Sequence, residues 1–344
     1  MSFRAHHSLT GYARAAVDLK ARMDEYLRGS RFREYVDVLL APRLPGDGQH
    51  RHSGRVTDAV SQAAATVWRV GEPFVLAPAM TAVVAAAAQA LDLTGEVITD
   101  QVAPCDWGVL FLPEPIYRRG ITGQLSALAA ITWSPITSPS GRLWLVGGWA
   151  DRGDPHDPHA ARIRAAITQR GDLSAMLGPY VLTDIADLPV GVPVPSRTDL
   201  PHETGDVHEW ETSPEGRYVI ADQNRSTKVC AAVLYAFWRI AAQPLATVTR
   251  PPLDRAARRR AARTKVAHDT RVVMLRRHHG MTGLDRDSQS PPRWRYQVRF
   301  VVRGHWRRLY DRHGNPYRIW INAYLKGPDD APLMHGEKVA VLAR

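Results

Sequence analysis

The sequence of 344 residues contains only two cysteines, Cys105 and Cys230, which lie far apart and have no partners at a metal-binding spacing. This scarcity argues against a disulfide scaffold and a zinc ribbon, and the apolar surroundings of both thiols predict buried, inert side chains. No apolar run reaches the length of a membrane span, and the first residues lack the apolar core of a secretion signal. These absences predict a cytoplasmic protein without a membrane partner.

Motifs of common enzyme chemistry are missing as well. The sequence has no GxGxxG, no P-loop and no Ser or Cys in a glycine-flanked elbow. The most metal-like string, residues 151–159 (DRGDPHDPH), matches no EF-hand and no two-histidine helix motif, and its Pro and Gly residues are typical of a turn. The sequence therefore predicts neither a metal nor a cofactor.

The basic charge is concentrated near the C-terminus. The whole chain has a net charge of +11, but residues 250–344 hold 22 Lys and Arg against 8 Asp and Glu, a net charge of +14. Residues 1–249 are slightly acidic. Because attraction to phosphate depends on locally clustered charge, this asymmetry favours a polyanion site. A basic segment that only keeps the protein soluble is the alternative.

Residues 293–326 carry the strongest functional pattern. Apolar and mostly basic residues alternate on both sides of a turn at residues 311–316 (DRHGNP). The pattern predicts an antiparallel hairpin with one apolar face and one face of Arg, Lys, Trp and Tyr. The apolar set is Trp294, Tyr296, Val298, Phe300, Val302, Tyr317, Ile319, Ile321, Ala323 and Leu325; the opposite set is Arg295, Gln297, Arg299, Val301, Arg303, Arg318, Trp320, Asn322, Tyr324 and Lys326.

The chemistry of that second face suits nucleic acid. Arginine pairs with phosphate and aromatic rings stack on bases, so the hairpin predicts a nucleic-acid partner, RNA rather than DNA. A half-buried sheet whose polar side is only solvated is the alternative.

A second basic feature lies at residues 249–265 (TRPPLDRAARRRAARTK). It predicts a helix with Asp254 near its start, where a carboxylate suits the helix dipole. The helix places Arg255, Arg259 and Arg263 on one stripe at four-residue spacing, where like charges repel unless an anion compensates. The stripe predicts a phosphate site, with a solvated basic helix as the alternative.

These two features supply all the candidate site residues. His305 is the one candidate catalytic residue, as a general acid/base in metal-independent RNA cleavage with Arg307 or Arg308 steadying charge on the phosphate; a structural histidine is the alternative. The candidate nucleic-acid-binding residues are Arg255, Arg259, Arg263, Arg295, Arg299, Arg303, His305, Trp306, Arg307, Arg308, Arg318, Trp320, Tyr324 and Lys326.

The predicted fold class is α+β, with a helical N-terminal part, a mixed sheet with packed helices and a basic C-terminal β-hairpin region. The Pro- and Gly-rich residues 189–216 predict a loop or linker. It separates an α/β domain, residues 1–188, from a C-terminal part, residues 217–344, which holds an apolar helix, the basic helix and the hairpin. Strands are predicted at residues 107–112, 142–149 and 271–275, and helices at residues 56–70, 160–177 and 229–243.

The order of these features resembles a widespread phage and plasmid family that includes the type V-A anti-CRISPR protein, which lowers production of the CRISPR effector nuclease. The ending GHWR…IWI is also similar to many uncharacterised proteins of actinobacterial mobile elements. The chain is much richer in arginine than that family. The matching positions are a strand that begins at Asp106-Trp107, an apolar helix with Leu234, Tyr235 and Trp238, the segment Thr249-Arg250-Pro251, and an ending with His305-Trp306, Arg307-Arg308, Tyr317-Arg318-Ile319-Trp320 and Ala323-Tyr324.

The resemblance implies a mobile-element regulatory protein. Its N-terminal part would bind a protein or nascent peptide and its basic C-terminal part RNA or the ribosome, so that expression of a host defence protein falls. Two alternatives stay open: a DNA-binding regulator or replication accessory protein that uses the same surface, and a metal-independent ribonuclease. The resemblance implies no catalytic residue.

Overall fold

The computed structural model describes residues 8–40, 54–120, 125–138, 141–169, 177–197, 211–212, 218–222, 226–276, 300–302 and 304–326. The backbone alone is described for residues 38–40, 211–212, 300–302 and 324–326. The chain divides into two compact units, Met1–Leu275 and Arg276–Arg344.

The first unit is built on a mixed sheet of nine strands within the described residues. The strand order is β5-β4-β3-β2-β1-β9-β8, and β7 pairs with β2 and β6. Strand β1 runs parallel to β2 and β9, whereas β2, β3, β4 and β5 form an antiparallel series. The strands are β1 Glu72–Leu76, β2 Gly108–Arg119, β3 Leu125–Ser138, β4 Gly141–Asp151, β5 Tyr180–Pro189, β6 Glu211–Thr212, β7 Tyr218–Ala221, β8 Ala246–Thr249 and β9 Arg271–Leu275.

Helices cover both faces of this sheet. Val75 packs in a core cluster with residues of α1, α2 and α3, whereas its neighbour Phe74 contacts Phe237 of α6, because successive strand residues point to opposite faces. On that second face α4 packs against α6. The helices are α1 Leu9–Leu27, α2 Ser30–Leu40, α3 Gly54–Val70, α4 Pro78–Gln89, α5 Pro158–Gln169, α6 Val229–Ala241 and α7 Arg255–Thr264, with a short 3-10 helix at Asp100–Val102.

Aromatic side chains fill both layers of the core. On the first face the fully buried Trp68 meets Trp149 edge-to-face, with ring centroids 5.3 Å apart, and also contacts Phe111. On the second face Trp238 contacts Trp133 and Trp144 at 5.8 and 5.6 Å. Edge-to-face pairs add attraction beyond the area that they bury. The apolar helix predicted over residues 229–243 is therefore α6, a core helix.

Strand β2 continues through two prolines, which the sequence analysis placed in a turn after residue 112. The register with β3 shifts between Phe111 and Ile116, so Pro113 and Pro115 lie in a β-bulge. Proline lacks a backbone N–H and is tolerated where a bulge interrupts the hydrogen-bond ladder. Beyond the bulge β2 pairs with β7 instead of β1.

The unit boundary lies at residues 275/276 and not within residues 189–216, where the sequence analysis placed a linker. Strand β9 explains the difference, because its hydrogen bonds to β1 join residues 271–275 to the centre of the first sheet. Helix α6 also packs on that sheet. Both predicted elements exist, but they complete the first unit.

The second unit contains the predicted hairpin. Strands β11 His305–Tyr310 and β12 Pro316–Ile321 are antiparallel, as are β10 Phe300–Val302 and β13 Tyr324–Lys326. Together with the mixed, helix-covered sheet this confirms the α+β class. Among the described helices, none combines the length and the apolar character that crossing a membrane requires.

A lysine side chain lies in the interior of the first unit. Lys20 of α1 is fully buried and donates a hydrogen bond to the carbonyl oxygen of Gly71. Burial lowers the pKa of Lys20 to about 7, and the charges of Asp24 and Glu72 only partly oppose that shift. Folding therefore removes a proton from this ammonium near neutral pH.

We expect the free energy of unfolding to rise from about pH 7 to pH 10 more steeply in the wild type than in Lys20→Met. The folded pKa of about 7 lies below the ordinary value of 10.5, so the unfolded chain holds the extra proton across this window. Each pH unit then adds up to about 1.4 kcal/mol. Denaturant titrations at several pH values measure how steeply the free energy of unfolding depends on pH. Equal slopes in the wild type and Lys20→Met would contradict the lowered pKa of Lys20.

A buried ionic network ties β2, β5 and α6 together. Asp184 of β5 accepts hydrogen bonds from Arg118 Nη1 at 2.9 Å and Lys228 Nζ at 3.2 Å, and its side chain is only 7% exposed. Gly148 of β4 lies opposite Asp184, and a Cβ there would meet Cys230 and Leu128 at 3.1 Å. The missing side chain thus leaves room for the network between the sheet and α6.

Replacing Asp184 by alanine leaves two cations without their shared carboxylate. Breaking a buried pair by removing one partner costs about 3–5 kcal/mol, whereas an exposed pair contributes about 1 kcal/mol or less. We therefore expect Asp184→Ala to unfold at much lower denaturant than Asp58→Ala, which breaks an exposed pair with Arg33. Equal midpoints for the two variants would show that the network does not hold the fold.

Candidate nucleic-acid interface

The hairpin turn is fixed by one carboxylate. Asp311 Oδ1 accepts hydrogen bonds from the backbone N–H groups of His313 at 2.7 Å and Asn315 at 2.9 Å. These bonds, that of Asn315 foremost, lower the pKa of Asp311. Gly314 adopts φ +81°, a conformation that glycine reaches without strain. The turn predicted at residues 311–316 is therefore confirmed.

One register runs through both strand pairs of the hairpin. It pairs Tyr310 with Pro316 next to the turn and Val302 with Tyr324 further along the chain. Between the two ladders lies Gly304, where a Cβ would come within 2.4 Å of the Trp320 ring. Glycine at this position lets the backbone approach the indole.

The register divides the predicted site between two faces. Residues directly opposite each other in an antiparallel pair share a face, and neighbours along a strand alternate. The candidate nucleic-acid-binding residues His305, Trp306, Arg307, Arg308, Arg318 and Trp320 are therefore distributed over both faces. We name the faces by composition: the arginine face holds Trp306, Arg308, Tyr310, Pro316, Arg318 and Trp320; the isoleucine face holds His305, Arg307, Leu309, Tyr317, Ile319 and Ile321.

Trp320 belongs to the arginine face, but its ring is buried and is not exposed to a ligand. It is only 5% exposed, its Nε1 donates to Asn322 Oδ1 at 2.8 Å, and it packs edge-to-face on Trp306 at 5.4 Å. The exposed rings are those of Tyr310, at 65%, and Tyr317, at 38%. Tyr310 is not among the residues predicted from the sequence, and Tyr317 is predicted in the apolar set. The spacing of Tyr310, two residues after Arg308, was the signal that places both on one face.

The arginine face concentrates positive charge. Arg308 and Arg318 are directly paired across the strands, where like charges destabilise a sheet. Residues 304–326 contain five basic residues and one acidic residue, Asp311, whose carboxylate holds the turn.

His305 shares its face of the hairpin with only one of the two arginines predicted to assist it. It is exposed on the isoleucine face, two residues from Arg307, whereas Arg308 belongs to the arginine face. The other histidine of the hairpin, His313, lies in the turn beyond Tyr310, and the five residue steps of β11 from His305 to Tyr310 alone span roughly 17 Å. The two histidines therefore cannot act as an acid–base pair on one phosphate.

Helix α7 begins as the sequence predicts. Asp254 accepts a hydrogen bond from the backbone N–H of Ala257 at 2.7 Å, which lowers the pKa of Asp254. Arg260 pairs with Asp18 of α1, and Asp254 lies 3.6 Å from Arg14 of the same helix. These pairs fix α7 against α1. The predicted stripe of Arg255, Arg259 and Arg263 is exposed, as is Arg258.

The remaining predicted site residues have no described side chains. Arg295, Arg299 and Arg303 lie outside the described residues, and Tyr324 and Lys326 are described by their backbone only. Their contribution to the interface stays a prediction.

The aspartates of the metal-like string close turns. The backbone N–H of His156 donates to Asp154 Oδ1 and that of His159 to Asp157 Oδ1, both at 2.8 Å. Tyr117 Oη also donates to Asp154, at 2.9 Å. Both carboxylates are fully buried, and the described residues contain no group of three potential metal ligands.

Both thiols lie in surroundings that suppress their reactivity. Burial raises the pKa of Cys105 to about 12, and its Sγ–H donates to the carbonyl oxygen of Trp107. Burial also raises the pKa of Cys230, beside the carboxylate of Asp184. Because the thiolate is the nucleophile, the raised pKa values disfavour thiol catalysis at either position.

Comparisons with known proteins give no relative from which a function could be inferred, so a functional assignment depends on the surfaces described above. No family model matches the chain, and no curated protein and no solved structure matches it.

Proposed function

We propose that the C-terminal hairpin binds single-stranded RNA and that the protein acts as a regulator through this contact. The observation that carries the proposal is the arginine face, on which the paired Arg308 and Arg318 stand next to the exposed ring of Tyr310. Guanidinium groups bind phosphates, and an adjacent ring stacks on a base.

The ring of Tyr310 favours an unpaired strand over a duplex. Stacking on a side chain requires a base face that is not already covered by neighbouring base pairs. A β-sheet face with an exposed ring and flanking cations is a common platform for such strands. The DNA-binding alternative uses the same charges, and a comparison of single-stranded RNA with DNA of the same sequence separates the two.

The regulatory role rests on the resemblance to the mobile-element family. RNA binding by the hairpin would bring the protein to a message or to the ribosome. The first unit would then engage a protein or nascent peptide and lower expression of a host defence protein. We propose binding without cleavage, because the length of β11 keeps His305 and His313 too far apart to act as an acid–base pair on one phosphate.

The test measures binding of full-length protein to an unstructured, fluorescently labelled RNA over a range of salt. We expect Arg308→Gln/Arg318→Gln to weaken binding about tenfold or more. We also expect the slope of log K against log salt to fall by about 1.4, since each phosphate contact on a single strand contributes about 0.7. Tyr310→Ala should weaken binding by about 1–3 kcal/mol without changing the slope, because stacking carries no charge.

The matched control is Arg55→Gln/Arg162→Gln, which removes two exposed arginines from α3 and α5. It should bind RNA within about twofold of the wild type, since such contacts depend on local charge. Wild-type affinity in both the Arg308→Gln/Arg318→Gln and Tyr310→Ala variants would disprove the hairpin proposal. RNA cleavage that disappears in His305→Ala while binding persists would favour the ribonuclease alternative.

A further inference from the structure

Helix α7 presents two chemically different sides. Ala257 and Ala261 are buried on the side of α7 that faces the rest of the first unit. Each arginine of the stripe is two residues from one of these alanines, which corresponds to about 200° around the helix. The stripe, which consists of Arg255, Arg259 and Arg263, therefore faces away from the core. All three guanidinium side chains belong to exposed residues.

The arginines of α7 also differ in whether they form ion pairs. Arg260 pairs with Asp18 and anchors the helix. In the described part of the chain no acidic side chain pairs with Arg255, Arg258, Arg259 or Arg263. The stripe repeats every four residues, a spacing at which like charges destabilise an isolated helix. The fold therefore holds a row of cations about 12 Å long on an anchored helix.

Helix α7 itself offers little beside this row for reading bases. Within Arg255–Thr264 the other exposed residues are Arg258, Ala256 and Ala262, and the helix contains no aromatic ring, Asn or Gln. Such a surface contacts phosphates without recognising sequence. A rigid row of charges also fits the regular phosphates of a duplex better than a flexible strand, which loses conformational entropy when it is ordered.

We infer that the exposed face of α7 is a second nucleic-acid site, which binds the phosphate backbone of double-stranded RNA without sequence preference. The site lies in the first unit and the hairpin in the second, so neither site requires the other. An RNA that contains paired and unpaired segments offers a ligand to both.

The test uses full-length protein and a blunt RNA duplex of about 16 base pairs, the span that a duplex-binding domain contacts. Arg255→Gln/Arg259→Gln/Arg263→Gln keeps residues of good helix propensity and removes three charges. We expect at least a tenfold loss of duplex affinity and a fall of about 2–3 in the slope of log K against log salt, at about 0.9 per phosphate contact. Arg255→Lys/Arg259→Lys/Arg263→Lys should keep most of the affinity, because it keeps the charge.

The matched control, Arg31→Gln/Arg55→Gln/Arg162→Gln, removes the same charge from exposed positions on α2, α3 and α5 and should bind the duplex within about threefold of the wild type. Arg308→Gln/Arg318→Gln should weaken single-strand binding more than duplex binding, whereas the triple Gln variant of α7 should do the reverse, which distinguishes failure of α7 from failure of the hairpin. The inference is overturned if the wild type does not bind the duplex, if the triple Gln variant binds as tightly as the wild type, or if the control loses as much affinity as that variant. Unchanged thermal unfolding of the triple Gln variant checks that the fold is intact.

Discussion

Parallel pairing of β1 with both β2 and β9 is the constraint on which the first unit depends. Strand β1 brings Gly108 and Arg271, which are far apart in sequence, to positions beside its own residues. Its Val75 meets α1, α2 and α3, and its Phe74 meets α6, so both faces of the sheet are buried. Helix α7 leads into β9 and contacts α1. The position of the arginine stripe thus follows from the central strand.

Local chemistry explains which features the sequence could predict. The Asp311 turn, the Asp254 cap and the basic helix each depend on residues within a few positions of one another. The membership of α6 and β9 in the first unit depends on pairing between distant segments, for which the sequence contains no local signal. The faces of the hairpin depend on register, and a shift by one residue would exchange them. Burial of Trp320 depends on Gly304 and Trp306, which only the folded hairpin brings together.

The two basic surfaces offer different chemistry to the same class of polymer. The arginine face combines paired guanidinium groups with the exposed Tyr310 ring, so its affinity depends on base stacking as well as on charge. The α7 stripe offers charge alone, and its affinity must fall steeply with salt. A chain with both surfaces gains avidity on one RNA only where that RNA reaches both sites. Under these two proposals, the high net charge of residues 250–344 would serve two modes of RNA contact.

Buried charge in the first unit serves the fold itself. Its buried titratable groups are bonded within the fold: Lys20 to the Gly71 carbonyl oxygen, Asp154 to Tyr117 and a backbone N–H, and Asp184 to Arg118 and Lys228. A general acid or base must reach the proton that it transfers, and these groups are enclosed by their own partners. Under the proposed function, the exposed Arg255, Arg259, Arg263 and Arg308 would be the groups that hold the anionic polymer.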